Sequence, residues 1–487
     1  MAKKLNHPIH IGWYARDGYV DIFPKIANRL EQLGFESRSF YACHRSDEER
    51  RLQHIYGIFQ PWLLPRFLKE NENKFDISDQ GMKRLGETYK ERSLIQCLWS
   101  EMFLKKKFTE IDYRKHLAGH INFWEEFLNN NRIDVLVTEI PSILSNCIAW
   151  ILCKLKGIPY LAFIDVPQMW GRTAFSTSFE AHFDNLIEKI ENLTHAETAN
   201  LDFADQYLGQ IDNIGMQKAM SATLERPEIE NQGIFFKRLS LSIRDIPSTL
   251  KKARKVPEYY IYSTFKENVK NVIRTSINNI LYPRIGLFNK DIDPNQDNYF
   301  LFPLHQKTEW SNFQLFGLAI GDPLNTIREV SYCMPLRSKL YVKEHTAQFG
   351  ERELSELENI KKNRGVKLIN PFFDTQLLIK NSQAVITHGS TLGFEAFIMR
   401  KPVILLSKAW YHSFPGVYYV ETPEKLSILL QNAQKLPVAT RLQIMQCIQA
   451  LYEISFDGYL YPPSKLLEPE NISSFAKALK EKLESLA

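Results

Sequence analysis

The run His388-Gly389-Ser390-Thr391-Leu392-Gly393-Phe394-Glu395-Ala396 gathers small residues, two hydroxyls and a carboxylate where a buried apolar stretch gives way to a helical one. Backbone N–H groups at a helix start lack intrahelical partners and attract anions, so phosphate is the natural guest. The competing reading is that Ser390 and Thr391 only cap the helix. Glu395, expected on the first turn, has the position of a carboxylate that grips ribose hydroxyls. Upstream, Tyr341-Val342-Lys343-Glu344-His345-Thr346 sets a cation, a carboxylate and an imidazole together at a strand end. There His345 can donate to a phosphate oxygen or protonate a leaving group. Phe302-Pro-Leu-His305-Gln-Lys-Thr-Glu309 is a third polar strand end, although Pro303 and its aromatic neighbours fit a packed hinge equally well.

The first half of the chain offers carboxylates for acid–base work. Asp17, Glu139 and Asp165 each follow an apolar strand-like run. Asp17, in the turn Arg16-Asp17-Gly18-Tyr19, is the first choice for a base, on the expectation that Gly18 lets the turn hold it outward. Glu139, before Pro141-Ser142, ranks close behind. The alternative for Asp17 is a turn-shaping side chain without chemistry. Arg16 can hold the carboxylate or phosphate of an acceptor, and Asp165 joins it on that side.

The elements that must position these groups follow from periodicity. Residues 9–14 read as a strand, 22–33 as an amphipathic helix closed by Gly34, and 35–41 as a second strand. Residues 60–130 read as several helices. Residues 134–139, 142–155 and 160–165 then give another strand, helix and strand. From 179 to about 281 the pattern is helical, and the polar run 289–298 reads as an interdomain linker. Beyond it, strands at 299–304, 339–343, 366–369, 384–387 and 402–406 alternate with helices at 323–333, 352–363, 374–381 and 392–399. This order predicts an α/β protein with two doubly wound, Rossmann-like domains, whose ligands belong at the carboxyl ends of the strands and in the cleft between domains.

Several classes lose ground. No GxGxxG follows a strand, and GxxxxGK[ST], HExxH and GxSxG are missing, since His388 stands two positions before Ser390. The net charge of +5 on 487 residues is small and scattered, which argues against nucleic acid. Cysteines 43, 97, 147, 153, 333 and 447 form no CxxC pair and read as reduced core residues. The N-terminus has no signal-like apolar core, and the longest apolar stretch, 143–158, is too short and too charged to span a bilayer. Asp291-Ile292-Asp293 mimics a metal-binding DxD but lacks a preceding buried strand. The same acids fail as an EF-hand, with Gln296 at the glycine position and Phe302 at the terminal glutamate. The basic interval 251–255 reads as a solvated helix face, with docking on an anionic membrane as the alternative.

The run from Phe302-Pro-Leu-His305 through Val342-Lys-Glu-His345 to Ser390-Thr-Leu-Gly-Phe-Glu395 and Lys401-Pro-Val-Ile resembles the capsule polysaccharide biosynthesis family, which includes bacterial Kdo transferases of GT-B arrangement. The likeness covers roughly residues 299–420. It implies two Rossmann-like domains at a central cleft, with helical insertions in the first, and a CMP-activated sugar acid as donor. His345 would then meet the donor phosphate, Ser390 and Thr391 would sit beneath it, and Glu395 would lie near the nucleotide. One departure stands out: related transferases usually carry His-Pro where this chain has His345-Thr346.

The expectations are therefore definite. Residues 1–290 form an acceptor-side domain, 297–465 a nucleotide-sugar-binding domain, and 466–487 a helix that folds back. The activity is metal-independent transfer of a Kdo-like sugar acid to a bacterial surface polysaccharide or glycolipid, with no cofactor. The catalytic candidates are Asp17, Glu139 and His345. The nucleotide-sugar set is His305, Glu309, Lys343, His345, Gly389, Ser390, Thr391 and Glu395, and the acceptor set is Arg16 and Asp165. The place is the cytoplasm, with peripheral contact at the inner face of the inner membrane. A nucleotide-sugar epimerase or hydrolase, or a silent glycan-binding scaffold, are the rival readings.

Overall fold

The computed structural model describes residues 8–98, 109–196, 199–214, 265–305, 323–461 and 463–486. Strands β1 (Ile9–Tyr14), β2 (Ser37–Cys43), β3 (Trp62–Leu63), β4 (Val135–Thr138), β5 (Tyr160–Asp165) and β6 (Arg172–Ser176) come first. After the intervening helices come β7 (Tyr299–Pro303), β8 (Lys339–Lys343), β9 (Val366–Ile369), β10 (Val385–Thr387), β11 (Val403–Leu405) and β12 (Val417–Tyr419). The chain then closes with β13 (Phe456–Asp457).

The strands form two separate sheets, ordered β13-β6-β5-β4-β1-β2-β3 and β12-β11-β10-β7-β8-β9. In the second, every pairing is parallel. Renumbered from its own first strand, that order is 3-2-1-4-5-6, the dinucleotide-fold winding. The first sheet keeps 3-2-1-4-5 in its parallel part, and β6 and β13 add antiparallel at one edge. Both units are thus Rossmann-like, and two such units make the GT-B class of fold. Each sheet has a switch point where the winding reverses, between β1 and β4 and between β7 and β10, and a ligand is expected beyond the strand ends there.

Apolar side chains explain why these runs became strands. Val135, Leu136 and Val137 of β4 are all buried, as are Phe300, Leu301 and Phe302 of β7. The helix Tyr19–Gln32 buries Val20, Phe23, Ile26, Ala27 and Leu30 on one stripe. The helix Pro469–Leu486 inserts Phe475, Ala476, Leu479 and Leu483 into the same core as Ile11, Phe23 and Phe163. Ring centroids of Phe163 and Phe475 lie 5.0 Å apart.

The division of the chain differs from the expected boundaries. Among the described residues, one compact unit holds those up to Leu186 together with those from Leu451 on, and the other holds Ile187–Ala450. The expected linker at 289–298 is part of the second unit. Asn289 bonds Leu368 twice, N–H to carbonyl at 2.9 Å and Oδ1 from the Leu368 amide at 3.0 Å, and Asp291 pairs with Lys367. Tyr282 and Leu287 just before it are buried in the second core beside Phe300 and Val342. A polar run read as a linker is here a strap fastened along β9. The C-terminal return likewise begins earlier than 466, because β13 already pairs with β6. Within 60–130, expected as wholly helical, Trp62 and Leu63 extend the sheet beside Ala42 and Cys43.

All six cysteines are reduced and buried. No helix among the described residues is long and apolar enough to cross a membrane.

Candidate functional site

In the first unit, the switch point brings together groups far apart in sequence. Arg16 follows β1, Glu139 follows β4, and Asp165 ends β5 on the neighbouring strand. The Arg16 Nε donates to Glu139 Oε1 at 2.6 Å, and both side chains are mostly buried. Burial raises the Glu139 carboxyl above the usual carboxylate range, although Arg16 beside it pulls the other way. Tyr160 OH fixes the Glu139 carbonyl at 2.7 Å. Desolvation by the surrounding chain pushes Asp165 up to about 6, opposed by a backbone bond from Leu460. The Asp165 side chain still reaches solvent, which screens that effect.

Asp17 is held differently from the expectation. Gly18 has an ordinary helical φ of −68°, and Asp17 itself takes the left-handed φ of 50°. Its amide is tied at 2.8 Å to Glu48, a buried carboxylate that also accepts the His44 and Arg45 amides at 2.9 Å each. Arg45 then reaches the Asp17 carboxylate at 2.8 Å, and Arg16 stands 3.6 Å away. Glycine is not what turns Asp17 outward; Glu48 is. Glu48 and Arg45 are inconspicuous in the sequence because they lie in an acidic and basic run, residues 45–51, of the kind that a solvated helix start also has.

In the second unit, three strand ends meet. His305 follows β7, His345 follows β8, and His388 follows β10, and these strands lie side by side as β10-β7-β8. Across the switch point His305 Nε2 and Thr387 Oγ1 are 3.2 Å apart, and Thr387 donates to Ser390 Oγ at 3.0 Å. The amides of Gly389 and Ser390 both point back at Thr387 Oγ1, at 3.2 and 3.1 Å. Those two donors, expected to face an anion, are therefore spent on the loop itself, and Gly389 serves through its φ of 125°, which an L side chain rarely adopts. No side chain caps the helix Thr391–Ile398. Ser390 and Thr391 do not make the capping bond that competed with the anion reading, and the first-turn amides of Thr391 and Leu392 are the donors such a helix leaves over.

Tyr411 OH donates to the Ser390 carbonyl at 2.8 Å and packs so close to Gly393 that a Cβ there would lie 2.3 Å from its oxygen. The close approach explains the second glycine of the motif. Burial holds His388 down to about 3, so it is a neutral ring, placed by Thr326 Oγ1 at 3.3 Å.

Lys343 is buried, with Nζ on the Pro371 carbonyl at 2.6 Å, and desolvation lowers it to about 8. The carboxylates of Glu395, Glu344 and Asp374 favour its charged form but do not outweigh burial. Glu395 sits one turn further into its helix than expected, the fifth residue after the Ser390 N-cap. Its charge is felt both by Lys343 and by Tyr207. Glu344 is buried against Arg352, and its Oε1 accepts the His345 amide at 2.6 Å. Glu309 and the basic interval 251–255 lie outside the described residues.

Among the described residues, no group of three or more His, Cys, Asp or Glu could hold a metal ion. The acids of the DxD-like run have protein partners, Lys367 for Asp291 and Lys339 with Tyr341 for Asp297. A cavity of about 670 Å³ lined by Asn298, Gln383, Arg400 and Lys401 opens at the amino ends of β7, β10 and β11, the end of the sheet away from the three histidines.

Residues 220–454 match the family model "Capsule polysaccharide biosynthesis protein". Over that stretch, a little under half of its length, the chain is similar to the capsule polysaccharide biosynthesis family. The likeness read from Phe302 to Ile404 is thereby shown, and it includes all three histidines and the Thr391–Ile398 helix of this family's domain. Among curated proteins none matches the chain. Similar solved structures include the beta Kdo 2,7 transferase of Thermosulfurimonas dismutans KpsC, 10% identical over 74% of this chain and 89% of that one, TM-score 0.33. Its beta Kdo 2,4 transferase is 15% identical over 65% and 79%, TM-score 0.33. The UDP-GlcNAc 2-epimerase of Methanocaldococcus jannaschii, in complex with UDP-GlcNAc and UDP, is 13% identical over 91% and 100%, TM-score 0.27. Overlaps this loose carry no argument about chemistry, so the reading below rests on the family and on the residues.

Proposed function

We propose that this protein is a glycosyltransferase that moves a Kdo-like sugar acid from a CMP-activated donor to a growing bacterial surface polysaccharide or glycolipid. The observation that carries the reading is the second unit's switch point, where an uncapped helix start, a Thr–Ser–His hydroxyl and imidazole network and a buried lysine converge at adjoining strand ends. An anion is the ligand such a place suits. The amides of Thr391 and Leu392 and the side chains of Ser390, Thr391, Lys343 and His345 would hold the donor phosphate, and Glu395 would meet the ribose.

In the transfer, an acceptor hydroxyl attacks the anomeric carbon, the new C–O bond forms, and the bond from that carbon to the phosphate oxygen breaks. The electron pair leaves with CMP, whose phosphate carries it, and the hydroxyl proton passes to a carboxylate of the first unit. Glu139 suits that task better than Asp17. Burial raises its carboxyl, whereas Asp17 is gripped by Arg45 and half exposed. Arg16 would present Glu139 and meet an acidic group of the acceptor, with Asp165 beside it. The phosphate leaving group can depart without a resident metal, and work on lipid-linked acceptors at the inner face of the inner membrane fits the same reading.

The test is a thermal-shift series with CMP, UDP, GDP and dTDP. At about a hundred times Kd a ligand adds roughly 2.7 kcal/mol, a rise of a few degrees for a chain this long. CMP should raise the melting point and the others should not; a flat response to all four removes the donor site, and a rise with UDP alone would shift the reading to the epimerase class.

A further inference from the structure

Arg352 has no exposed surface, yet each of its three guanidinium nitrogens has a partner. Nε lies 2.8 and 3.1 Å from the two oxygens of Glu344, Nη1 lies 3.0 Å from Glu356, and Nη2 donates to the carbonyl of His305. Glu344 passes the connection on, because its Oε1 accepts the amide of His345. Two of the atoms tethered by this ion pair are thus main-chain atoms of the two site histidines, on adjacent strand ends. The arginine's own backbone is fastened from the other side. Its carbonyl accepts Asn278 Nδ2 at 3.1 Å and the hydroxyl of Tyr282, and Asn278 also holds the Gly350 carbonyl at 3.0 Å. Both donors stand on the helix Phe265–Arg284, so the loop after β8 is clamped between that helix and the sheet.

We infer that Arg352 is a positioning residue that sets the spacing and orientation of His305 and His345 through Glu344 and the His305 carbonyl. The inference rests on the anion-site reading above only for its consequence in binding; the tether itself stands on the contacts. An arginine is required because its planar fork reaches a carboxylate and a carbonyl in different directions at once, which an ammonium on a single stem does not do. Two carboxylates, Glu344 and Glu356, offset the cost of a fully buried cation.

The experiment is Arg352→Lys in the full chain, read by imidazole C–H resonances without ligand and by CMP titration. Single His305→Gln and His345→Gln variants assign the two rings. Both resonances should shift while His54, exposed on another helix, stays in place, and the Kd for CMP should rise about tenfold or more with secondary structure retained. Unmoved His305 and His345 resonances in folded Arg352→Lys overturn the inference. Should that variant not fold, Glu344→Gln gives the same reading, since it keeps an acceptor for the His345 amide while weakening the arginine's hold. Loss of folding in both would make the pair a stability element and also overturn it. A parental protein that binds no CMP sinks the donor-site reading, yet the ligand-free resonances still decide the role of Arg352.

Discussion

At the β1/β4 junction of the first unit a guanidinium and a carboxylate meet directly, Arg16 on Glu139, whereas at the β7/β10 junction of the second the strands are joined by an imidazole and hydroxyls, His305 to Thr387 and Thr387 to Ser390. The two sheets share a winding, so the difference lies in what each switch point was given to hold. An ion pair with a raised carboxyl is a place to exchange protons. A hydroxyl and imidazole network beside an uncapped helix start leaves donors for an anion, and the charged groups nearby, Lys343 and the Glu344–Arg352 pair, are buried. On the proposed reading, one fold carries acid–base chemistry or anion binding at the same topological address, according to which three or four residues follow the strands.

The sharpest way to break this contrast is to remove the proton acceptor and leave the anion site alone. Glu139→Gln keeps the size of the side chain and an oxygen for Arg16, and it should lower the transfer rate by about 10² to 10⁴ with CMP affinity unchanged. Initial rates at saturating donor, set beside CMP calorimetry, read both halves. If rate and affinity fell together, the assignment of separate tasks to the two units would fail. Asp17→Asn is the companion measurement: with Asp17 gripped by Arg45, its rate should drop by less than that of Glu139→Gln.

His345→Ala acts on the other half. Loss of a charge-assisted contact to the phosphate is worth about 1.5 to 3 kcal/mol, so donor affinity should weaken roughly tenfold to a hundredfold while the melting curve stays put. Parental affinity in this variant would place the phosphate elsewhere on the second unit. Gly393→Ala tests the loop by packing instead of charge. Its Cβ would meet Tyr411 Oη at 2.3 Å and Thr387 Cγ2 at 2.8 Å, so Tyr411 must leave the Ser390 carbonyl. Overpacking of this kind costs about 1 to 3 kcal/mol, measurable as a lower denaturation midpoint with a smaller loss of CMP affinity.

How far these features could be read from residues alone depends on what holds each one. β1, β5, β8 and β9 fall where apolar runs between turn residues put them, because a strand buried on both faces writes itself as a continuous apolar stretch. β6 and β13 were not legible. Arg172 and Thr173 stand in a short polar stretch, and their pairing partners Asp457 and Phe456 come from the far end of the chain. The three strand ends of the second unit were visible as motifs, while the groups that tie them were not. Thr387 looks like the last residue of a strand and Arg352 like the first residue of a helix; only burial and distance give them their work. The glycine at position 18 misled for the same reason, since the buried Glu48 that bends the turn lies 31 residues from Asp17.

Lys343 ties the contrast to pH with an effect of the smallest size in activity and of opposite sign in stability. Burial lowers it from an ordinary 10.5 to about 8, so the folded protein gives up this proton before the unfolded chain does. Between about 8 and 10.5 the unfolded state binds more protons, and stability therefore rises with pH across that window. The burial penalty, on the order of 3 kcal/mol, is present in full below the lower value and relieved toward the upper one. Binding runs the other way, because a neutral amine no longer attracts phosphate, and CMP affinity should fall severalfold as pH climbs through 8. Lys343→Met isolates the group: relative to the parent it should flatten both profiles above pH 8, by removing the rise in denaturation midpoint and the fall in CMP affinity together. A parental protein whose CMP affinity holds level from pH 7 to 9.5 would show that the lysine serves only Pro371 and the core, and the second switch point would then bind its anion with neutral donors alone.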